Sequence, residues 1–145
     1  MAWERGNSKS AYRQFLAGAL KGDESCQLNV GYLLDEGIGV KKNKQKALSW
    51  YRKAHNQGVS SATTNIGIWY REQKNNRRAV QWFKKAVALG DQDALYELGC
   101  HYQQGLGVRK KRKTAIQFFR KVLRSKNVTE ATKEQAASAL LEMET

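Results

Sequence analysis

Ala47-Leu48-Ser49-Trp50-Tyr51-Arg52-Lys53-Ala54, Ala79-Val80-Gln81-Trp82-Phe83-Lys84-Lys85-Ala86 and Ala115-Ile116-Gln117-Phe118-Phe119-Arg120-Lys121-Val122 are one eight-residue pattern written three times. A small residue opens each copy, an aromatic pair stands three and four positions on, and a small or apolar residue closes it at i+7. That spacing lays a single apolar stripe along an α-helix. Upstream of each copy lies a looser match centred on a glycine: Gly31, Gly67 and Gly99, with Val30, Ile66 and Leu98 just before and Leu34, Tyr70 and Tyr102 three after. The period is again helical, so each unit predicts helix, loop, helix.

The units run 23–58, 59–90 and 91–126. Ala11, Phe15 and Gly22 match Ala47, Tyr51 and Gly58 in register, so 11–22 reads as the second half of an earlier unit. Beyond it all, 127–145 holds one more amphipathic helix, Thr129 to Met143, which reads as a terminal cap. Gly58 and Gly90 are expected to end their helices in the left-handed conformation. Gly37-Ile38-Gly39-Val40 and Gly105-Leu106-Gly107-Val108 form the loops inside the first and third units, and the middle unit omits this loop. No single unit can bury its apolar stripes, but a stack can. The expected fold is all-α: a right-handed α-α superhelix, or solenoid, of about three helix-turn-helix repeats with terminal capping helices, one repeat domain over 1–145.

These residues carry a family resemblance. The mid-helix glycine, the Gly-x-Gly-Val loop, the Ala-x-x-Trp-Tyr-Arg-Lys-Ala run and the closing glycine resemble the Sel1-like repeat, a relative of the tetratricopeptide repeat, over about Ala11 to Lys126. The shortened turn at Gln73 to Asn76 and Lys126 in place of a closing glycine depart from the pattern. The resemblance implies a non-enzymatic adaptor that binds a protein or peptide on the concave face of its first helices. It also implies a narrower alternative, a bacterial immunity protein that neutralises a cognate toxin.

Composition agrees with a packed, soluble domain. The chain has 145 residues, 41 % of them hydrophobic, with 4 Trp, 6 Tyr and 4 Phe, enough apolar mass to offset the entropy of ordering a chain of this size. Met1 to Ser10 lacks the apolar core of a signal peptide, and no apolar run reaches the roughly 18 residues that crossing a bilayer needs. The expectation is a cytoplasmic protein without membrane insertion. Cys26 and Cys100 do not make a disulfide framework; Cys26 aligns with Ala62 and Ala94 and reads as a small core residue. His55 and His101 have no cysteine or carboxylate at a metal-ligand spacing. No catalytic residue, metal or cofactor is expected, and the aromatic pairs read as core.

Two surfaces are candidates for binding. Register places Asn29, Tyr32 and Glu36, then Asn65, Ile68 and Glu72, then Tyr96, Cys100 and Gln104 along the exposed side of successive first helices. Recurrent Asn at one position suits hydrogen bonding to an extended peptide, and Tyr suits a contact anchor. The second surface is cationic. Net charge is +13, from 26 Lys+Arg against 13 Asp+Glu. The doublets Arg52-Lys53, Lys84-Lys85 and Arg120-Lys121 recur as a solvated helix face, but Lys41, Lys42 and Lys44, and Arg109, Lys110, Lys111, Arg112 and Lys113, form a basic loop edge that the repeat does not require. It favours a partner with an acidic surface. A nucleic acid bound by the basic stretch 109–126 is the alternative from another class.

Overall fold

The repeated periodicity becomes eight helices. In a computed structural model, which describes residues 5–144, these are α1 (Arg5–Leu20), α2 (Glu24–Glu36), α3 (Lys44–Asn56), α4 (Ser60–Glu72), α5 (Asn76–Ala88), α6 (Asp93–Gln104), α7 (Arg112–Arg124) and α8 (Glu130–Glu144). Met1–Glu4, on which part of the amino-terminal reading rests, and Thr145 lie outside the described residues. There is no strand among those described. The helices gather into two compact units, Met1–Ala62 and Thr63–Thr145, with the division falling inside α4.

Within each unit the second helix of a repeat closes on the glycine of the first. In unit 1, the ring of Tyr51 lies over Gly31, so close that a Cβ on that glycine would come within 2.6 Å of the ring. In unit 2, Phe83 sits on Gly67 and Phe119 on Gly99 in the same way, at 2.5 and 2.6 Å. Tyr51, Phe83 and Phe119 are fully buried, with Ala47, Ala79 and Ala115 one turn before and Ala54, Ala86 and Val122 one turn after. The triplicated motif is therefore the hydrophobic core. Its leading aromatics are not: Trp50, Trp82 and Phe118 are only half-buried. Each instead carries the lysine three residues on, Lys53 at 4.2 Å, Lys85 at 4.4 Å and Lys121 at 5.6 Å from the ring centre. The expectation that both aromatics pack inward thus holds for the second of each pair; the first is turned a helical step (about 100°) toward solvent, where a cation can cover it.

Local chemistry sets the helix ends. Asp23, Asn43 and Asn75 accept hydrogen bonds from the amides of Cys26, Lys46 and Arg78 at 2.9, 3.0 and 3.3 Å, N-caps that satisfy otherwise unpaired donors. Gly58 and Gly90 adopt positive φ, +91° and +99°, as expected for chain reversals. The shortened middle turn reverses without glycine: Lys74 takes φ 64°, and it is the positive-φ residue outside glycine among those described. α8 packs mainly on α7, through Ala136 and Leu140 against Phe119, Val122 and Val128.

Candidate functional site

The first-helix residues fall on outward positions. In unit 1, α2 presents Tyr32, 49 % exposed, beside exposed Glu36 and half-buried Asn29. In unit 2, α4 presents half-buried Asn65 and Ile68 with exposed Glu72, and α6 presents half-buried Tyr96 and Cys100 with exposed Gln104. The flanking positions differ between repeats. Thr64 donates to Asp91, and Glu97, which aligns with Asn29 and Asn65, is paired with Arg71 of α4. The recurrent amide is therefore replaced by an ion pair in the third repeat.

Tyr96, Cys100 and Gln104 do more than lie on a surface. They form one wall of a groove of about 610 Å3 whose other wall is α8, with Glu134, Gln135, Ser138 and Glu142. Burial raises the Tyr96 hydroxyl to about 12, with Cys100 beside it adding to the effect. Burial likewise pushes the Cys100 thiol up, against a hydrogen bond from Tyr96 that lowers it. Cys26, whose Sγ lies against Gly18, is also raised, by desolvation and then by Asp23. A nucleophilic thiol needs the opposite shift. Periodicity puts Tyr96, Cys100 and Gln104 on one face of α6 but leaves the α8 wall unseen, because one amphipathic helix does not state which neighbour it meets.

His101 is buried at 1 % exposure against the ring of Phe83. Its Nδ1 lies 2.7 Å from the carbonyl oxygen of Glu97, which can only accept, so Nδ1 carries the proton. Nε2 then faces the interior without a partner. Among the described residues, no group of three or more His, Cys, Asp or Glu could hold a metal ion.

The cations sort by helix. None of the chain's 13 acidic residues lies on α1, α3, α5 or α7. α3 carries Lys44, Lys46, Arg52 and Lys53; α5 carries Arg77, Arg78, Lys84 and Lys85; α7 carries Arg112, Lys113, Arg120, Lys121 and Arg124. Two first helices and the capping helix have the reverse balance: α2 holds Glu24, Asp35 and Glu36 without a cation, α6 holds Asp93 and Glu97, and α8 holds Glu130, Glu134, Glu142 and Glu144 against Lys133, while α4 is neutral with Arg71 and Glu72.

The basic loops are positioned by their glycines. A Cβ on Gly39 would overlap the Ser8 carbonyl, and one on Gly107 would overlap the Asn76 carbonyl and the Arg77 amide. Each loop therefore lies against the preceding second helix, α1 in unit 1 and the start of α5 in unit 2. Lys41, Lys42, Arg109, Lys110, Lys111 and Lys113 are exposed. Two members of the expected edge are engaged within the chain: Lys44 turns inward to Asp35, which also accepts the Tyr51 hydroxyl, and Arg112 donates to the Met143 carbonyl.

Helix-loop-helix units with a glycine-on-aromatic core define an α-solenoid repeat protein. Comparison with known proteins names the repeat: the model of the Sel1 repeat matches 25–59, 60–91 and 92–122, and the chain belongs to that family. It is similar to the crystal structure of a Sel1 repeat protein from Oxalobacter formigenes, at TM-score 0.74 and 31 % identity over 82 % of this chain and 50 % of that one. A protective antigen of uropathogenic Escherichia coli displaying an SLR fold gives TM-score 0.68 and 35 % identity over 77 % of this chain and 25 % of that one. Helicobacter pylori cysteine rich protein B gives 0.63 and 25 % over 92 % and 97 %. A sel1-like repeat-containing protein of Acanthamoeba polyphaga mimivirus is 42 % identical over 48 residues, 33 % of this chain and 9 % of that protein. The chain thus spans half or less of the Oxalobacter, Escherichia and mimivirus proteins. No helix among the described residues is long and apolar enough to cross a membrane.

Proposed function

We propose that the chain is a non-enzymatic interaction module that binds a protein or peptide segment on the outward side of its first helices. One observation carries this reading. The first helices of successive repeats present side chains suited to contact on their outward sides, exposed Tyr32 with Asn29 in unit 1, and in unit 2 the Tyr96–Cys100–Gln104 wall of an open groove. A Tyr held on a rigid helix gives large contact area at small entropic cost. In unit 2, Glu134 and Glu142 of α8 give the groove an anionic rim, so the segment it accepts is neutral or basic. The acidic partner suggested by the net charge suits the loops instead. Purification of the tagged chain from its native cell, followed by mass spectrometry, identifies the partner. The Asn29→Ala, Tyr32→Ala, Asn65→Ala, Tyr96→Ala variant is expected to lose that partner while keeping its helicity. Undiminished capture sinks the reading.

A further inference from the structure

The exposed cations of unit 2 form a surface distinct from the first-helix face. Seating Gly107 on Asn76 and Arg77 brings the loop 105–111 onto the start of α5. Exposed Arg77 therefore joins Arg109, Lys110, Lys111 and Lys113, a neighbour that sequence separation hides. Among the described residues none of these five makes an ion pair, and no acidic residue occurs between Leu98 and Thr129. α7 worsens the crowding. Its N-cap is Lys111, which makes no capping hydrogen bond, and its first turn has no acid, so cations gather at the positive end of the helix dipole. This arrangement costs stability and is relieved by an anion.

The kind of anion follows from what the patch lacks. Protein interfaces centre on buried aromatic anchors and mix charges of both signs; here every charge that the loop, α5 and α7 contribute is positive, with Glu144 of α8 reaching Arg120 at the border at 3.6 Å, and Trp82 and Phe118 are covered by Lys85 and Lys121. The aromatic faces hold those ammonium groups in place without neutralising them, so cations continue along α5 and α7 from the loop. A stripe of this kind, uniform in sign and extended in one direction, is the footprint of a phosphodiester backbone. We propose that the loop before α7, the start of α5 and the exposed side of α7 bind nucleic acid through its phosphates, without reading base sequence.

The test is fluorescence anisotropy with the full chain and a labelled 20-nucleotide single-stranded RNA, with a duplex DNA of equal length alongside. Binding is expected in the micromolar range at 50 mM salt, weakening with a slope of log K against log salt of about −4 for the single strand, as about six neutralised phosphates dictate. The variant Arg109→Gln, Lys110→Gln, Lys111→Gln, Lys113→Gln is expected to bind at least tenfold more weakly and to flatten the slope by about 3. Circular dichroism checks that it stays folded, and the matching lysine-to-arginine and arginine-to-lysine swaps are expected to restore affinity. Tyr32→Ala is expected to leave this binding unchanged, which separates it from the first-helix reading. Absence of binding at 50 mM salt, equal affinity in the glutamine variant, or preferential binding of polyglutamate over RNA overturns the proposal, the last in favour of an acidic protein.

Discussion

At the scale of single residues, the fold's most exact requirement is the absence of a side chain. Gly99 is helical and could gain about 1 kcal/mol of helix propensity by becoming Ala, yet the added Cβ would lie 2.6 Å from the Phe119 ring. Overpacking of this kind costs about 1–3 kcal/mol, so Gly99→Ala is expected to lower the melting temperature despite its better propensity. A rise would mean that the ring moves aside freely. His101 presents the opposite case. Leu33 and Trp69 occupy its position in the other repeats, where no lone pair needs a partner, whereas the Nε2 of His101 is buried and orphaned. An unpaired acceptor costs about 1–3 kcal/mol, set against the modest hydrogen bond that Nδ1 makes to Glu97. His101→Leu is therefore expected to stabilise the chain by about 1 kcal/mol, which calorimetry reads as a gain of about 2–4 °C. A loss of stability would show that Nε2 has a partner in solution.

At the scale of helices, two carboxylates at helix starts, the N-cap Asp23 of α2 and Asp93 in the first turn of α6, give stability a pH dependence of predictable sign. Asp23 is held below the usual carboxylate range by the Cys26 amide that it caps. A group whose folded value is depressed contributes stability above its unfolded value and loses it as pH falls through the folded one. Asp93 runs the other way: burial, then the nearby charge of Asp91, raises it, so its contribution falls as pH rises through its folded value. Asp23→Asn keeps a capping side chain but removes the titration. Chemical denaturation between pH 2 and 5 is expected to show a shallower acid loss in Asp23→Asn and a steeper one in Asp93→Asn; the same profile in all three proteins would count against both assignments. Helix register was readable because a period of 3.6 leaves its mark on any buried stripe, as it did for Tyr51, Phe83 and Phe119. What periodicity does not encode is rotation by one residue at the stripe's edge. Trp50, Trp82 and Phe118 are as apolar as their neighbours, and only the lysine three positions later signals that they face outward. The α6–α8 groove and the meeting of Gly107 with Arg77 were hidden for another reason: both are contacts between helices, and neither leaves a period in the sequence.

At the scale of the whole molecule, charge rather than packing is the unusual feature. A net charge of +13 is not averaged over the surface, since α1, α3, α5 and α7 hold no acidic residue, whereas α2, α6 and α8 together hold nine of the 13. Paired helices of opposite sign, α2 with α3 and α6 with α7, attract, while second helices of like sign within a unit, such as α5 and α7, repel. The attraction acts partly through close pairs such as Lys44–Asp35, between α3 and α2, which is partly buried and weakly screened. The repulsion acts between exposed cations over longer distances, where the Debye length decides: about 30 Å at 10 mM salt but about 8 Å at 150 mM. Raising sodium chloride through that range should therefore remove more repulsion than attraction. The melting temperature is expected to rise by several degrees, and the gain should shrink in the glutamine variant of Arg109, Lys110, Lys111 and Lys113, which has less repulsion left to screen. A melting temperature that falls with salt would mean that surface attraction between first and second helices outweighs the crowding of cations, and the second helices would then be charged to hold the repeats together rather than to meet an anion.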